Sequence, residues 1–216
     1  MEKLVRKQAS KISTSLGYDA EKEAVVAYGL IAIVQICITL TLVFLFGLIV
    51  GAPIEALIVC LSVSILRKYS GGVHADNAEF CTVFSVIYCT VTAVLSKWLA
   101  GVYFAVPMLV AGVVIYAAAF AIAYRYVPVD SPNKPIKTEK KIKRMRKGSF
   151  IILTVYFALS VLFYLLSFQA PAYRSFGIGM LFGVAWQVLT LTPVGAILLH
   201  KLNDLPKYLG KEEKQQ

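Results

Sequence analysis

Four long runs of the chain contain no Asp, Glu, Lys, Arg or His: Ala24–Val50, Trp98–Tyr124, Phe150–Gln169 and Phe176–Leu199. Backbone placed in hydrocarbon must satisfy its own N–H and C=O groups, which an α-helix does within one segment. At a rise of ~1.5 Å per residue, about 20 apolar residues cross a core of ~30 Å. Each of the four runs is that long. Two more, Ile54–Leu66 and Phe80–Ser96, reach only about 20 and about 25 Å at the same rise. They are expected to cross with help from polar flanks, or to form a hairpin that stops partway. The fold expected is an all-α polytopic membrane protein of about six hydrophobic helices. Two of these are short and flank a single polar stretch. No internal repeat is evident, so residues 1–216 are expected to form one transmembrane domain.

Composition agrees: 58% of the residues are hydrophobic and 16% charged, against about 45–50% and about 25% in soluble domains. The net charge of +10 is unevenly spread. Between Arg125 and Ser149 nine Lys or Arg face only Asp130 and Glu139, a surplus of +7. Beside membrane spans such a cluster reports orientation rather than nucleic-acid binding, so no nucleic-acid partner is expected. Six passes with the amino terminus inside place Arg67–Glu79, the basic 125–149 loop and the 200–216 tail in the cytosol. The opposite connections then carry only Lys97 and Arg174. Residues 1–23, with Leu4, Val5, Ala9, Ile12 and Leu16 spaced among lysines and Arg6, suit either an amphipathic helix on an anionic face or a loose basic tail. The first apolar run is too long for the core of a signal peptide and is expected to remain as a span in the cell membrane.

The polar stretch runs Arg67-Lys68-Tyr69-Ser70-Gly71-Gly72-Val73-His74-Ala75-Asp76-Asn77-Ala78-Glu79-Phe80-Cys81. It holds a base, His74, and a nucleophile, Cys81. A free thiol with a pKa of ~8.5 is only a few per cent thiolate at neutral pH, so a catalytic Cys needs activation. Gly71-Gly72 can end the preceding helix and turn the chain back. Asp76-x-x-Glu79 resembles a capping box that starts a helix near Asn77, placing Cys81 about one turn in, where the helix dipole favours a thiolate. Arg67 and Lys68 add positive potential if the turn brings them near. On one continuous helix His74 and Cys81 would lie about 10.5 Å apart along the axis, beyond hydrogen-bond reach. A break between them is therefore required. Asp76 is a candidate to orient the imidazole, although capping is its simpler use, and Ser70 is read as a turn residue.

The other cysteines, Cys37, Cys60 and Cys89, lie in apolar runs and read as packing residues. No CxxC pair or His-rich pattern is present, and His200 ends the last run, so no metal site and no cofactor are expected. A small transporter or export component, with Gly71-Gly72 as hinge, and a non-catalytic membrane scaffold are the competing functions. The first predicts ionisable residues inside the spans; in the four long runs, the terminal Gln169 aside, the most polar side chains are Gln35 and Gln187.

Two motifs carry a resemblance. The Arg67…Gly71-Gly72-Val73-His74-Ala75…Cys81 stretch and the loop Pro128-Val129-Asp130-Ser131-Pro132-Asn133-Lys134-Pro135-Ile136 resemble the AgrB (accessory gene regulator protein B) family. These are membrane cysteine endopeptidases that process quorum-sensing propeptides. Length, hydrophobic layout and the basic central segment agree as well. The resemblance implies that Cys81 attacks the propeptide near its carboxyl end while His74 handles the proton, and that the product becomes a cyclic thiolactone or lactone. It implies an AgrD-like amphipathic propeptide as partner, within a bilayer, and leaves a homodimer open. Arg67, Gly71, Gly72 and Asp76 are expected to support the site. Asn133, Lys134 and Pro135 are expected near the substrate, and the adjoining Lys/Arg cluster is a candidate to attract an acidic tail on the propeptide.

Overall fold

The computed structural model describes residues 2–72, 78–102, 105–130, 138–199 and 201–202. Helices dominate: α1 Glu2–Ser15, α2 Ala20–Ile49, α3 Pro53–Ser70, α4 Ala78–Gly101, α5 Ala105–Tyr126, α6 Glu139–Leu166, α7 Ala172–Leu189 and a short α8 Pro193–Leu199. Among the described residues there is no strand. The protein is an all-α, multi-pass membrane protein. Its contacts divide it into two compact units, Met1–Leu42 and Val43–Gln216.

In the first unit the basic amino-terminal segment is helical, and Ala9 and Ser13 are buried. The chain turns at Gly17, where the Tyr18 N–H donates to the Ser13 carbonyl (2.9 Å). Asp19 starts α2, accepting from the Lys22 N–H (2.8 Å) in the manner of an N-cap. From Lys22 to Ile49 the helix is apolar enough to cross a membrane. Val25, Ile33 and Ile36 lie exposed along it, as a lipid-facing helix requires.

The second unit is built around α7, which packs against α3, α4, α5 and α6. Leu66, Tyr116, Leu153, Tyr156, Val184 and Val188 form its buried centre, while Val110, Val114, Ile151 and Leu165 point outward and exposed. Apolar association does not draw helices together in lipid, so close approach depends on small residues. Gly183 of α7 supplies one: a β-carbon there would sit 2.6 Å from Ser62 Cβ and 3.0 Å from the Val59 carbonyl of α3.

Three boundaries differ from those expected. The run Phe80–Ser96 lies within a helix of 24 residues, about 36 Å long; it absorbs Lys97 and Trp98, so α4 is not stunted and α5 starts only at Ala105. The basic cluster, expected in a loop, forms the first turns of α6. The last run is broken: α7 and α8 meet at 93°. Pro193 lacks an N–H and disfavours helix at Thr192; Thr192 Oγ1 then caps α8, accepting from the Gly195 N–H (3.2 Å). Four helices are long and apolar enough to cross, or five if the bent pair counts as one. Six was approximate. Of the two runs expected to be short, α3 remains so, with 18 residues, the same length as α7 before its break.

Candidate active site at the end of the third helix

The end of α3 is set by backbone that only glycine adopts readily. Gly71 has φ 72° and ψ −146°, in the region reserved almost wholly for glycine. Its N–H donates to the Arg67 carbonyl (3.0 Å), and the Val129 N–H donates to the Ser70 carbonyl (2.9 Å). Gly71 and Val129 thereby form an isolated parallel bridge. A β-carbon on Gly71 would collide with the Val129 carbonyl oxygen. Gly72, at φ 125°, is buried; a β-carbon there would lie 3.0 Å from Thr190 Oγ1 and 3.3 Å from Gln187 Nε2. The helix therefore stops at Ser70, as the glycine pair suggested. It stops against a segment that had seemed remote in sequence. The two motifs meet at Gly71 and Val129, next to the cis peptide Val127–Pro128.

A buried amide holds this turn from the other side. Gln187 of α7 is fully buried, and its Nε2 donates to the Gly71 carbonyl (2.8 Å) and to Ser70 Oγ (3.0 Å). Ser70 Oγ in turn donates to the Leu66 carbonyl (3.0 Å). The Gln187 Oε1 atom has no hydrogen-bond partner among the described residues, a cost of about 1–3 kcal/mol for a buried acceptor. The Tyr69 ring packs against Gly148 of α6, where a β-carbon would not fit. The turn is thus held by α6, α7 and the Val129 segment.

Cys81 is the fourth residue of α4 and half-buried. It stands in the first turn, where unpaired N–H groups give a partial positive charge. Arg67, in the last turn of α3, interacts with it electrostatically: burial disfavours the guanidinium charge, and Cys81 opposes that effect. Arg67 thus offers a cation to whatever negative charge develops on the sulfur. α4 is fixed by an aromatic ladder. Phe80, Phe84 and Tyr88 stack along one face at 6.4 Å intervals. Trp186 of α7 lies against Phe84 and Tyr88 at 5.4 and 4.7 Å, and the Tyr88 hydroxyl donates to the Phe182 carbonyl (3.0 Å).

Of the residues singled out from sequence, Arg67, Gly71 and Gly72 stand at the end of α3 and Cys81 in the first turn of α4, with Arg67 and Cys81 interacting electrostatically. His74, Asp76, Asn133, Lys134 and Pro135 lie outside the described residues. α3 ends at Ser70, and α4 is described from Ala78 onward. Of the cysteines read as packing residues, Cys60 and Cys89 are buried, whereas Cys37 is exposed.

Two polar residues escaped the sequence reading. Gln187 was noted only as the most polar side chain of its run, although a buried amide in a span needs partners and pointed to a polar contact. Glu55 lies in the short run and was passed over. It is buried near the start of α3 and accepts a hydrogen bond from Ser175 Oγ (2.7 Å). Nearby, Lys97 Nζ donates to the Gly51 carbonyl (2.6 Å).

Comparison with known proteins follows the same motifs. The chain is 38% identical over 205 residues to AgrB-like protein 2 of Clostridium perfringens strain 13, covering 93% of this chain and 95% of that protein. A second AgrB-like protein, from strain SM101 of the same species, is 38% identical over 213 residues, covering 97% and 99%. One from Halalkalibacterium halodurans is 25% identical over 203 residues, covering 94% and 92%. No solved structure matches the chain. Residues 5–191 match the accessory gene regulator B family, and with two motifs joined at one helix break in a multi-pass helical membrane protein, the chain belongs to that family.

Proposed function

We propose that this protein is a membrane-embedded cysteine endopeptidase that cleaves an AgrD-like quorum-sensing propeptide near its carboxyl end. The observation that carries the proposal is Cys81 in the opening turn of α4, the next helix after the break at Gly71, interacting electrostatically with Arg67 of α3. Cys81 Sγ attacks the scissile carbonyl carbon as its proton passes to His74. His74 then delivers the proton to the leaving amine, and the carboxyl-terminal fragment departs. The truncated peptide is left as a thioester on Cys81. A Cys or Ser within the peptide displaces Cys81, closing a thiolactone or lactone ring and returning the proton to the enzyme thiol. Thioester exchange is nearly isoenergetic, so ring closure needs water excluded more than it needs an energy source.

The site works at the cytosolic face of the cell membrane in this proposal, with both termini on the same side and residues 1–216 acting as one transmembrane domain. Asn133, Lys134 and Pro135 lie along the propeptide, and Asp76 supports the start of α4. Lys140, Lys141, Lys143 and Arg144, on the first turns of α6, attract an acidic propeptide tail. A homodimer is compatible with this chemistry.

Co-expression with a candidate propeptide tests the proposal. The parent chain should release the tail fragment and show a thioester adduct by mass spectrometry, whereas Cys81→Ala and His74→Ala should do neither. Equal cleavage by all three would overturn it. A second reading, that the chain also moves its product across the membrane, is favoured by buried Glu55, since an ionisable group among spans commonly marks a transport path. In that case Glu55→Gln would trap cyclic peptide inside cells while cleavage continues, and unchanged secretion would remove the idea.

A further inference from the structure

We propose that the cleft between α5, α6 and α7 holds one acyl chain of an anionic phospholipid, with the lipid phosphate at Arg174. Neither Cys81 nor the polar stretch takes part. The cleft opens at the end of the bundle remote from the Gly71 turn: Ser175, next to Arg174 on α7, bonds Glu55 near the start of α3, whereas Gln187 bonds the end of α3. Its walls extend between Met108 and Tyr116 on α5 and between Phe157 and Ser167 on α6, about 12 and about 15 Å at the helical rise. Half the hydrocarbon core of a bilayer is about 15 Å, so the cleft has the depth of one leaflet. It encloses about 130 Å³, near the volume of about 150 Å³ at which an apolar cavity takes up benzene. That is room for a length of hydrocarbon chain.

The two ends of the cleft differ in chemistry. Deep inside, the Tyr116 and Ser160 hydroxyls bond each other (2.7 Å), so the floor suits hydrocarbon better than a polar group. At the mouth, half-buried Arg174 donates its Nε–H to the Ser167 carbonyl (3.4 Å), which turns the side chain toward α6. A guanidinium has five donors in a planar fork and matches phosphate bidentately, so it serves Ser167 and an anion together. Arg174 is the only Asp, Glu, Lys or Arg between Lys147 and Lys201. Glu55, the buried carboxyl at this end, lies on the α3 side of α7, where Ser175 donates to it. Tyr164 and Tyr173 line the same mouth, a residue type that settles at headgroup level. A zwitterionic lipid carries its own cation beside the phosphate and gains less from Arg174. A neighbouring helix, about 10–12 Å across with its side chains, is too broad for a cleft of this volume.

The test uses the full-length chain purified in detergent and supplied with dioleoylphosphatidylglycerol or dioleoylphosphatidylcholine, each carrying a diazirine on an acyl chain. Retained lipid is counted by native mass spectrometry, and labelled residues are located by peptide mapping after irradiation. The parent should prefer phosphatidylglycerol roughly tenfold, as one charge-assisted contact allows, with the label in residues 108–116 and 157–167. Arg174→Gln should bring the two lipids within about twofold of each other while the cleft is still labelled. Arg174→Lys keeps the charge without the fork and should retain part of the preference. Gly112→Leu fills the cleft and should abolish labelling there by either lipid.

Preferential retention, labelling of the cleft and loss of the preference in Arg174→Gln together support the site. Equal retention of the two lipids by the parent overturns it, and that arm needs no variant to fold. Labelling spread evenly over the exposed faces of α2 and α4, the pattern of a general lipid coat, overturns it as well. So does an unchanged preference in Arg174→Gln. A dimer whose formation excludes the lipid would replace it with a second copy of the chain, and complete displacement by inorganic phosphate would replace it with an anion site lacking a tail. None of these readouts depends on Cys81, so failure of the endopeptidase proposal would leave them unaffected.

Discussion

The α3–α7 contact has a polar group at each end, and the two ends are built differently. On α7 the residues facing α3 recur every fourth position, Ser175, Gly179, Gly183 and Gln187, so a single stripe meets both. At the first end, the Ser175 hydroxyl donates to Glu55 Oε1 and also to the Ala172 carbonyl of its own helix (2.9 Å). Both helices are regular there, and the hydroxyl has an acceptor even if Glu55 is removed. At the second end, Gln187 Nε2 (2.8 Å) and Ser70 Oγ (3.2 Å) both donate to the Gly71 carbonyl, just past the last helical residue. Similar burial therefore has different consequences. One polar pair joins two finished elements, while the other completes an unfinished one.

The largest effect that would sharpen this contrast comes from Gly71→Ala. The substitution places a β-carbon in a glycine-only conformation against the Val129 carbonyl, and each of these faults costs about 1–3 kcal/mol. Thermal unfolding in detergent should show a loss of about 2–4 kcal/mol, with propeptide cleavage down roughly a hundredfold. Gly183→Ala acts between the ends, pushing α7 from Ser62 and Val59. It should cost about 1–3 kcal/mol by the same measurement and depress cleavage as well, since Gln187 lies one turn further on. Cleavage at the parental rate in a destabilised Gly183→Ala would break the link between stripe spacing and site geometry.

The first end should respond in stability alone. Glu55→Leu removes a buried carboxyl whose partner keeps a second acceptor, so a change of about 0.5–1.5 kcal/mol is expected, with cleavage held near the parental rate per folded molecule. A large kinetic defect would erase the distinction between the ends. Of the same small size in stability is Tyr88→Phe, which loses one hydrogen bond to the Phe182 carbonyl while retaining the ring stack on Trp186. Its cost should be about 0.5–1.5 kcal/mol, and cleavage should fall only slightly because the aromatic contact still anchors α4.

What could be read from residues alone follows the reach of each interaction. The four uncharged runs identified a multi-pass helical membrane protein, because hydrocarbon leaves the backbone few alternatives. Gly71-Gly72 marked the end of α3, because helix ends are written in nearest neighbours. Boundaries judged by apolar length were less secure. α4 runs on through Lys97, whose long side chain reaches the Gly51 carbonyl, a polar partner that no local count includes. The last run looked continuous because Pro193 is apolar, yet it turns by 93° where Pro193 and Thr192 end one helix and cap the next.

By itself the sequence determined the class of fold and the place where α3 must break. Each of these depends on residues close together along the chain or on solvent preference, which composition records directly. Only the tertiary structure decided that Val129 closes the broken end through its backbone, that Gln187 grips it through more than a hundred intervening residues, and that Arg67 stands by Cys81. Contacts of this kind depend on which helices become neighbours. In a membrane that choice is made by small residues and buried hydrogen bonds rather than by apolar burial, so it leaves little periodic trace in the chain.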